Sequence, residues 1–331
     1  MAAPQRPPTV LIIGCGIAGP VLAVLLKRKG YHPIIFEKVR ALGDAGASLM
    51  LMPNGMKVLD LVGLNAADLG SGSGSGSGSS FPLDACEDRA ASSGGSSSTE
   101  GQNASSPPPL VLGSSALPST FRQKYGQPAV GVKRADLNLA LKRLAADGAG
   151  IEVREGWALE SISEDAAAAA VTARFANGEV ARGDFLVGCD GIKSASRDAL
   201  LEMQRQRQEG SGAEPETEPP PPPPPSFTGL TQTSGFSPTP ASLGTTTANG
   251  DKRSVMRNWF GEGAHAIAYP VSRTHVSWAV TLPEEQEAAA RESWRLYGGD
   301  EREEVKRRLL DVLEQKGFEA PVLEMVRSAE R

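Results

Sequence analysis

The chain has 331 residues, enough for two ordinary domains, and its 39 acidic against 34 basic residues give a formal net charge of −5. This mildly acidic balance gives no electrostatic reason to expect a nucleic-acid-binding protein. The three cysteines (Cys15, Cys86 and Cys189) form no CxxC pair, and the three histidines have no metal-ligand spacing, so we expect neither a disulfide framework nor a metal site.

The first predicted element is a buried strand at residues 10–13, which leads into the glycine-rich loop Gly14-Cys15-Gly16-Ile17-Ala18-Gly19. A helix is predicted over residues 20–29, and a second strand over residues 34–36 ends on the acidic Glu37. Strand, glycine loop, helix, strand and acid in this order are the fingerprint of a dinucleotide-binding βαβ unit.

Each glycine of this fingerprint has its own expected task. Gly14 permits the tight turn, Gly16 lets the backbone approach a pyrophosphate, and Gly19 lets the helix pack on the sheet. The helix N-terminus offers free N–H groups to the phosphates, and Glu37 is placed to accept hydrogen bonds from a ribose. The motif predicts an ADP-containing cofactor and by itself leaves both FAD and NAD(P) open.

The same N-terminal stretch allows a second interpretation, a signal peptide or a short membrane anchor. Residues 10–26 carry no charge, Arg6 precedes them, and basic residues follow at 27–29. The stretch is short for a spanning helix, and the second strand and its acid follow at the spacing of the nucleotide fold. No other segment approaches membrane length and no address signal is evident, so a cytoplasmic protein without a membrane segment is expected.

Four low-complexity stretches rich in Ser, Gly, Thr or Pro are predicted to be disordered surface insertions, because they cannot bury enough apolar surface to offset their ordering entropy. They cover residues 70–80, 90–109, 204–225 and 231–250. Ordered elements are predicted between them: a helix at about 134–146, strands at 151–154 and 157–163, and a hairpin that turns at Asn177-Gly178.

A second constellation follows a predicted buried strand at residues 185–187. It reads Gly188-Cys189-Asp190-Gly191, followed by Ile192-Lys193-Ser194-Ala195-Ser196-Arg197. An Asp directly after a strand lies at the carboxyl edge of the sheet, where ligands bind in open α/β folds. Two roles stay open for Asp190: holding a ligand hydroxyl, or capping a helix that begins at Ser194. Gly191 allows close approach of the backbone.

The last third of the chain predicts strands and then helices. Residues 253–281 alternate with a period of two, which is typical of three antiparallel strands. A helix is predicted to open at Asp300, with Glu303 as its capping partner, and to end at Gly317. Pro321 is predicted to start another helix.

Three motifs in this order resemble the single-component FAD-dependent monooxygenases of the aromatic hydroxylase type, including salicylate-hydroxylase-like and zeaxanthin-epoxidase-like members. The motifs are the glycine loop with Glu37, the helix-opening Arg134 in residues 131–137, and the Gly-Cys-Asp-Gly segment. Residues 46–55 are also typical of that family. The resemblance implies a doubly wound α/β FAD-binding, Rossmann-like domain interleaved with a mostly antiparallel β-sheet substrate domain.

The resemblance also implies how the chain is divided. Residues 1–69 and 121–201 are expected to form the two parts of the FAD-binding domain, 70–120 and 202–250 to be insertions, and 251–331 to form the substrate-domain sheet and following helices. The family's late motif, Gly-Asp followed by Ala-Ala-His, does not occur in the sequence. The chain is therefore expected to be truncated before the C-terminal FAD segment.

Carried over position by position, the resemblance implies a set of FAD contacts. These are Gly14, Gly16 and Gly19 at the pyrophosphate, Glu37 at the adenosine ribose, Gly46 and Ala47 near the flavin, Arg134 from its helix, and Asp190 and Gly191 in a motif linked to both FAD and NAD(P)H. Arg197, which closes that motif, is the one catalytic candidate. The sheet that carries Trp259, Tyr269 and Trp278 is expected to roof the substrate pocket, although such aromatics are more often core or sheet-surface residues than substrate contacts.

The resemblance implies an FAD-dependent monooxygenase that uses NAD(P)H and O₂ to hydroxylate or epoxidise a small aromatic or polycyclic organic substrate. Two other hypotheses stay open. One is a truncated FAD- or nucleotide-binding remnant without catalysis, and the other is a plain NAD(P)-dependent reductase. The sequence indicates no nucleic-acid partner and no particular oligomeric state.

Overall fold

A computed structural model describes residues 6–40, 48–65, 69, 80–91, 110–165, 167–211, 226–243, 254–285 and 298–330. The chain folds into two compact units that are interleaved along the sequence. The first unit draws on Met1–Gly43, Val62–Leu64 and Leu137–Ser226, and the second on Asp44–Leu61, Asn65–Asp136 and Phe227–Arg331.

Strands outnumber α-helices among the described residues. The strands are β1 (Thr9–Ile13), β2 (His32–Glu37), β3 (Ser48–Leu51), β4 (Ser80–Pro82), β5 (Ala85–Ala90), β6 (Leu110–Ser115), β7 (Val130–Lys133), β8 (Glu152–Glu155), β9 (Leu159–Asp165), β10 (Ala170–Phe175), β11 (Val180–Gly183), β12 (Phe185–Gly188), β13 (Leu230–Pro238), β14 (Val255–Gly261), β15 (Ala264–Pro270) and β16 (His275–Pro283). The α-helices are α1 (Ala18–Arg28), α2 (Pro53–Val62), α3 (Phe121–Tyr125), α4 (Arg134–Arg143), α5 (Ala195–Ser211), α6 (Gly299–Gln315) and α7 (Ala320–Arg327).

The first unit is built on a parallel sheet with the strand order β12-β1-β2-β8. Successive side chains of β1 point to opposite faces of the parallel sheet, as in any strand, and each face is covered by a different element. Ile12 faces α1, whereas Leu11 and Ile13 join the core beneath the antiparallel sheet β11-β10-β9. Phe36 of β2 stacks on Phe175 in that core, with ring centroids 4.7 Å apart. The predicted βαβ unit and the Asn177-Gly178 hairpin are thus confirmed.

The strand predicted as buried at residues 185–187 forms, but it lies at the edge of the parallel sheet. Among the described residues β12 pairs only with β1, and Phe185 is 53% exposed. An apolar run marks a strand without revealing whether a neighbour covers it on both sides, so the expected burial was wrong. The uncharged stretch 10–26 is divided between β1 and the 11-residue α1, and no described helix is long and apolar enough to cross a membrane.

The second unit contains a six-stranded sheet with the order β13-β16-β15-β14-β5-β6. Its pairings are antiparallel except for β14 with β5, and the three strands predicted within residues 253–281 are present. Alternate residues of β14, β15 and β16 pack against α6 and α7, whose apolar faces include Leu309, Leu313 and Met325. This packing forms the core of the second unit.

A smaller antiparallel sheet with the order β3-β7-β4 also belongs to the second unit. Gly131 of β7 lies tightly against β15, because a Cβ at this position would stand 2.2 Å from the carbonyl oxygen of Pro270. The Ser48 hydroxyl of β3 bonds to the Tyr269 hydroxyl of β15 and donates to Ser277 of β16, each at 2.6 Å. The small sheet is therefore joined to the large one by close packing and by hydroxyl bonds.

Several low-complexity predictions are corrected where the structure describes them. Leu230–Pro238 is a strand paired along its length with β16, although most of it was predicted to be a linker. Within the segment 70–120, which was expected to be an insertion, Ser80–Pro82, Ala85–Ala90 and Leu110–Ser115 are strands, and α5 extends to Ser211 into the stretch 204–225. Sheet hydrogen bonds join backbone groups, so a Ser- and Thr-rich segment can complete a sheet whose neighbours supply the apolar burial. Ala241–Leu243 forms a short 3₁₀ helix, and residues 70–79, 92–109, 212–225 and 244–250 lie outside the described residues.

The ends of the last two helices match the prediction in part. α6 ends at Gln315 with Gly317 at φ +71°, and α7 has Pro321 in its first turn, as expected. The capping pair was wrong, because α6 begins one residue earlier and Gly298 occupies its N-cap without a side-chain bond. Asp300 therefore lies within the first turn, where a carboxylate still complements the helix dipole.

Candidate functional site

The glycine loop between β1 and α1 has two positions that admit no side chain. Gly14 has φ +106°, and a Cβ there would lie 2.6 Å from the carbonyl oxygen of Cys189. A Cβ at Gly19 would lie 2.0 Å from the carbonyl oxygen of Gly14. The first position needs a left-handed backbone, and the second lets α1 close onto the loop.

Gly16 differs from these two glycines because it borders open space. A Cβ at Gly16 would meet nothing within 4 Å. The N-terminus of α1 beside it has no side-chain cap and no acidic residue in its first turn, so its dipole is not neutralised there. Unsatisfied N–H groups with open space in front of them form an anion-binding cradle. The residues present therefore fit a pyrophosphate.

Glu37, the acid predicted to hold a ribose, bonds to the glycine loop. Its side chain is 9% exposed, its Oε2 accepts from the backbone N–H of Cys15 at 2.7 Å, and its Oε1 accepts from Val39 N–H at 3.0 Å. Each carboxylate oxygen has a second lone pair. Glu37 thus fixes the loop and keeps the capacity to accept a further hydrogen bond.

Cys15, the second residue of the glycine loop, is a buried and unreactive thiol. Burial, and secondly the negative charge of Glu37, raise the pKa of Cys15 to about 11. The thiolate is the nucleophilic form, so a thiol with this pKa stays protonated and inert near neutral pH. Cys15 therefore acts as a small apolar side chain of the loop.

Asp190 accepts three hydrogen bonds at the start of α5. Its Oδ1 accepts from the hydroxyls of Ser194 at 2.6 Å and Ser196 at 2.8 Å, and its Oδ2 accepts from the Ser196 backbone N–H at 2.9 Å. Partial burial opposes ionisation of Asp190, but the bonds from Ser194 and Ser196 outweigh it and hold its pKa below the ordinary value of 3.8. Of the two roles left open for Asp190, the structure shows the helix-capping one.

The capping arrangement includes Ser194, which the sequence interpretation named only as the start of the helix, and Ser196, which it did not single out. Ser194 occupies the N-cap of α5, where its hydroxyl accepts from Arg197 N–H at 3.0 Å. Gly188 makes room for Ser196, because a Cβ at Gly188 would lie 2.1 Å from the Ser196 hydroxyl oxygen. The Ser-x-Ser spacing four and six residues after Asp190 is the sequence signal that could have revealed both serines.

The two sequence motifs meet at the carboxyl edge of the parallel sheet. Gly14 N–H donates to Phe36 O, and Cys189 N–H donates to Ile13 O, both at 2.7 Å. The glycine loop, Glu37 and the Asp190 segment, with Gly191 at φ +81°, are therefore neighbours. Parallel strands bring the loops that follow them to one edge, which explains why distant motifs converge here.

The remaining predicted site residues have separate positions. Arg197 donates from its guanidinium to Ile192 O at 2.9 Å and lies 3.8 Å from the Asp198 carboxylate, so it is held within its own loop. Arg134 begins α4 in the second unit and is half-buried. Gly46 and Ala47 lie outside the described residues.

The three aromatics of the large sheet lie on opposite faces. Trp259 and Trp278 are almost fully buried on the face that packs against α6 and α7, and the Trp278 indole N–H donates to Ser237 at 2.8 Å. Tyr269 points from the opposite face, where Ser48 contacts its hydroxyl. The two tryptophans are core residues, and of the three only Tyr269 lies on the face that could roof a pocket.

We expect Asp190→Asn to lower the free energy of unfolding by about 1–2 kcal/mol at pH 7, because an amide cannot accept all three bonds at the start of α5. The folded-state pKa of Asp190 is depressed, so its contribution is complete above the unfolded pKa and is lost as pH falls through the folded-state pKa. Urea unfolding between pH 7 and pH 3 should show the two proteins converging at the acid end. Asp198→Asn, at an exposed first-turn position of α5, is the control and should change little. A pH-independent difference would contradict this role of Asp190.

Comparison with known proteins identifies the family to which this arrangement belongs. The family model described as "FAD binding domain" matches residues 8–217. A 3-amino-4-hydroxybenzoate 2-monooxygenase from Streptomyces platensis is 30% identical over 194 residues, which are 59% of this chain and 42% of that protein. A 3-hydroxybenzoate 6-hydroxylase from Polaromonas naphthalenivorans is 25% identical over a segment that covers 57% of this chain and 41% of that protein. The chain thus spans about two fifths of the length of these curated relatives.

Solved structures share the fold. Klebsiella pneumoniae HpxO, crystallised with FAD and uric acid, superposes with a TM-score of 0.67 at 22% identity, over 98% of this chain and 65% of that one. The expected fold class, an α/β FAD-binding domain interleaved with a mostly antiparallel sheet domain, is confirmed. Since the family model covers well over half of the sequence, this chain belongs to the FAD binding domain family.

Proposed function

We propose that the chain forms the cofactor cradle and substrate sheet of an FAD-dependent monooxygenase. The observation that carries this proposal is the open N-terminus of α1 beside Gly16, joined at one sheet edge to Glu37 and the Asp190 segment. Bound FAD would supply the redox chemistry by which NAD(P)H and O₂ insert one oxygen atom into a small organic molecule. The protein's own task is to bind, to orient and to exclude water.

The proposed cofactor contacts follow the geometry of the first unit. Gly16 and the first turn of α1 would receive the pyrophosphate, and Gly14 and Gly19 shape the loop that makes this possible. Glu37 would accept from a ribose hydroxyl with its remaining lone pairs. In the same proposal Asp190 and Gly191 border the cofactor from the second motif, and Arg197 orients the motif that it closes. Arg134, Gly46 and Ala47 remain cofactor contacts that only the resemblance implies.

The proposed substrate is a small aromatic compound that is hydroxylated or epoxidised. The matched relatives are named for ring compounds that carry hydroxyl, amino or carboxyl groups, including 3-amino-4-hydroxybenzoate, 3-hydroxybenzoate and hispidin. These names support an aromatic substrate and leave its substituents open. The alternative is a non-catalytic FAD-binding remnant, which would take up FAD without consuming O₂.

We expect Gly16→Ala to leave the fold intact and to weaken FAD binding at least about tenfold, because the new methyl group would occupy the space of the pyrophosphate. FAD retention through gel filtration and a flavin fluorescence titration measure this. Gly113→Ala is the matched control, since its Cβ also meets nothing within 4 Å but stands in the second unit. A wild-type chain that takes up no FAD overturns the proposed function. Equal FAD affinity of Gly16→Ala and the wild type overturns the proposed contact between Gly16 and the pyrophosphate. A chain that takes up FAD but consumes no O₂ when NADH or NADPH and 3-hydroxybenzoate are supplied would favour the non-catalytic FAD-binding remnant.

A further inference from the structure

One side chain of α4 carries a buried polar atom without a hydrogen-bond partner. The Oδ1 of Asn138 is shielded from solvent and accepts no hydrogen bond from any residue that the structure describes. Its neighbours Leu137 and Leu141 are buried in the first unit. A buried carbonyl that accepts nothing costs free energy, so such an atom calls for an explanation, and a missing ligand group is one. Asn138 is not among the cofactor contacts that the resemblance implies.

The course of α4 places Asn138 toward the carboxyl edge of the parallel sheet. The last turn of this helical segment, Leu144–Gly148, contacts α1, and the chain then enters β8, which runs parallel to β2. A helix that leads into such a strand runs in the direction opposite to the strands, so its earlier residues lie nearer to their carboxyl ends. That edge of the sheet carries the glycine loop, and it is where ligands bind in open α/β folds.

An ion pair one turn further along α4 shows which way this face of the helix points. Lys142 follows Asn138 by four residues and therefore lies on the same face, and it donates to Glu155 Oε1 at 2.5 Å. Glu155 ends β8 in register with Glu37 at the end of β2, so both carboxylates project to one side of the sheet. Glu37 in turn accepts from the N–H of Cys15 in the glycine loop. The face that carries Asn138 is thus turned toward that loop.

The Lys142–Glu155 pair lies close enough to the glycine loop to act on Cys15. Burial and the Glu37 charge are the larger causes of the raised pKa of Cys15, and smaller opposing effects come from Lys142, which lowers it, and Glu155, which raises it. The ion pair is neutral as a whole, so it does not repel a phosphate at the loop. The Asn138 carbonyl beside it remains an acceptor without a donor.

We propose that Asn138 is a cofactor-binding residue whose carbonyl accepts a hydrogen bond from an O–H or N–H group of FAD. The donor belongs either to the adenosine half, with its ribose hydroxyls and adenine amino group, or to the ribityl hydroxyls of the flavin half. This inference rests on the proposed FAD-dependent function and adds one residue to its site. It follows that Asn138 stabilises the FAD-bound chain and destabilises the chain without FAD.

Asn138→Leu tests this inference, because leucine has a similar size and no polar atom. We expect FAD to bind about three- to tenfold more weakly in a flavin fluorescence titration, the effect of one hydrogen bond. The urea midpoint of the FAD-free variant should equal or exceed that of the FAD-free wild type, because an unsatisfied buried carbonyl has been removed. Calorimetric titration with ADP then locates the donor. A matching loss of ADP affinity assigns it to the adenosine half, and unchanged ADP affinity assigns it to the ribityl group.

Asn258→Leu is the matched control in the second unit. The Asn258 amide donates to Asp88 at 2.9 Å and lies 3.3 Å from His265, so this substitution should lower the urea midpoint and leave FAD affinity unchanged. Asn138→Ala removes the same amide and takes over the FAD titration if the leucine variant fails to fold. Unchanged FAD affinity in the Asn138 variant, or a fall in the urea midpoint of Asn138→Leu as large as that of Asn258→Leu, overturns the inference. A wild-type chain that binds no FAD overturns the proposed function instead.

Discussion

Gly19→Ala is expected to destabilise the first unit by about 3 kcal/mol, equivalent to a fall of roughly 10 °C in Tm, and to abolish FAD retention. A Cβ at this position would stand 2.0 Å from the carbonyl oxygen and 3.2 Å from the carbonyl carbon of Gly14. Both neighbours are backbone atoms, so no side-chain rotation can relieve the overlap. Either α1 moves away from the sheet or the turn at Gly14 opens.

The comparison with Gly16→Ala separates stability from ligand binding. Both substitutions add one methyl group to the same loop, but only at Gly19 does that group meet protein atoms. Urea unfolding followed by intrinsic tryptophan fluorescence reports Trp157, which packs against the core of the first unit, together with Trp259 and Trp278 of the second. Repeating the measurement in a Trp157→Phe background identifies the transition that belongs to the first unit. A Gly19→Ala protein with wild-type stability and wild-type FAD retention would show that α1 does not need this close approach.

Glu319→Ala should lower the free energy of unfolding of the second unit by about 3 kcal/mol, because it removes one of the two carboxylates that bind the largely buried Arg89 and also the acceptor of the Trp259 indole N–H. The other carboxylate, Glu87, stays in place. The carboxylate of Glu319 accepts from Arg89 at 2.9 and 3.1 Å and from the indole N–H of Trp259. The side chains of Arg89 and Glu319 are 18% and 15% exposed. Arg257, which is 5% exposed and lies 3.6 Å from Glu87, belongs to the same group of charges.

A matched control exists on the neighbouring helix. Glu314 of α6 pairs with Arg327 at 2.5 Å, but these side chains are 49% and 56% exposed. An exposed ion pair contributes little, so Glu314→Ala should change the free energy of unfolding by less than about 1 kcal/mol. Glu319→Gln keeps an acceptor for Trp259 without the charge and should fall between the two. Similar urea midpoints for Glu319→Ala and Glu314→Ala would show that burial does not strengthen the Arg89–Glu319 ion pair.

The first motif was predictable because its constraints are local. Gly14, Gly19 and Glu37 lie within 24 residues, and the turn, the helix and the second strand each have a pattern that a short window reveals. The structure confirms the backbone requirements at both glycines. It adds that the Glu37 carboxylate bonds to the loop itself, a contact that depends on where β2 lies beside β1.

The second motif was predictable in place but not in role. A strand ending on Gly-x-Asp-Gly located Asp190 at the sheet edge, and the sequence favoured ligand binding while leaving helix capping open as the alternative. The capping bonds from Ser194 and Ser196 became visible only when the backbone path into α5 was known. A side chain with several acceptor positions has no single partner until its neighbours are placed.

The sequence by itself determined the nucleotide-binding loop, the alternation of strands and helices and the membership of the family, because these depend on residue spacing along the chain. Only the tertiary structure decided that Trp259 and Trp278 face the helices while Tyr269 and His265 face the other way. It also decided that the Ser- and Thr-rich segment Leu230–Pro238 completes the sheet. Strand register and sheet neighbours arise from contacts between distant segments, and a one-residue shift in register would exchange the two faces.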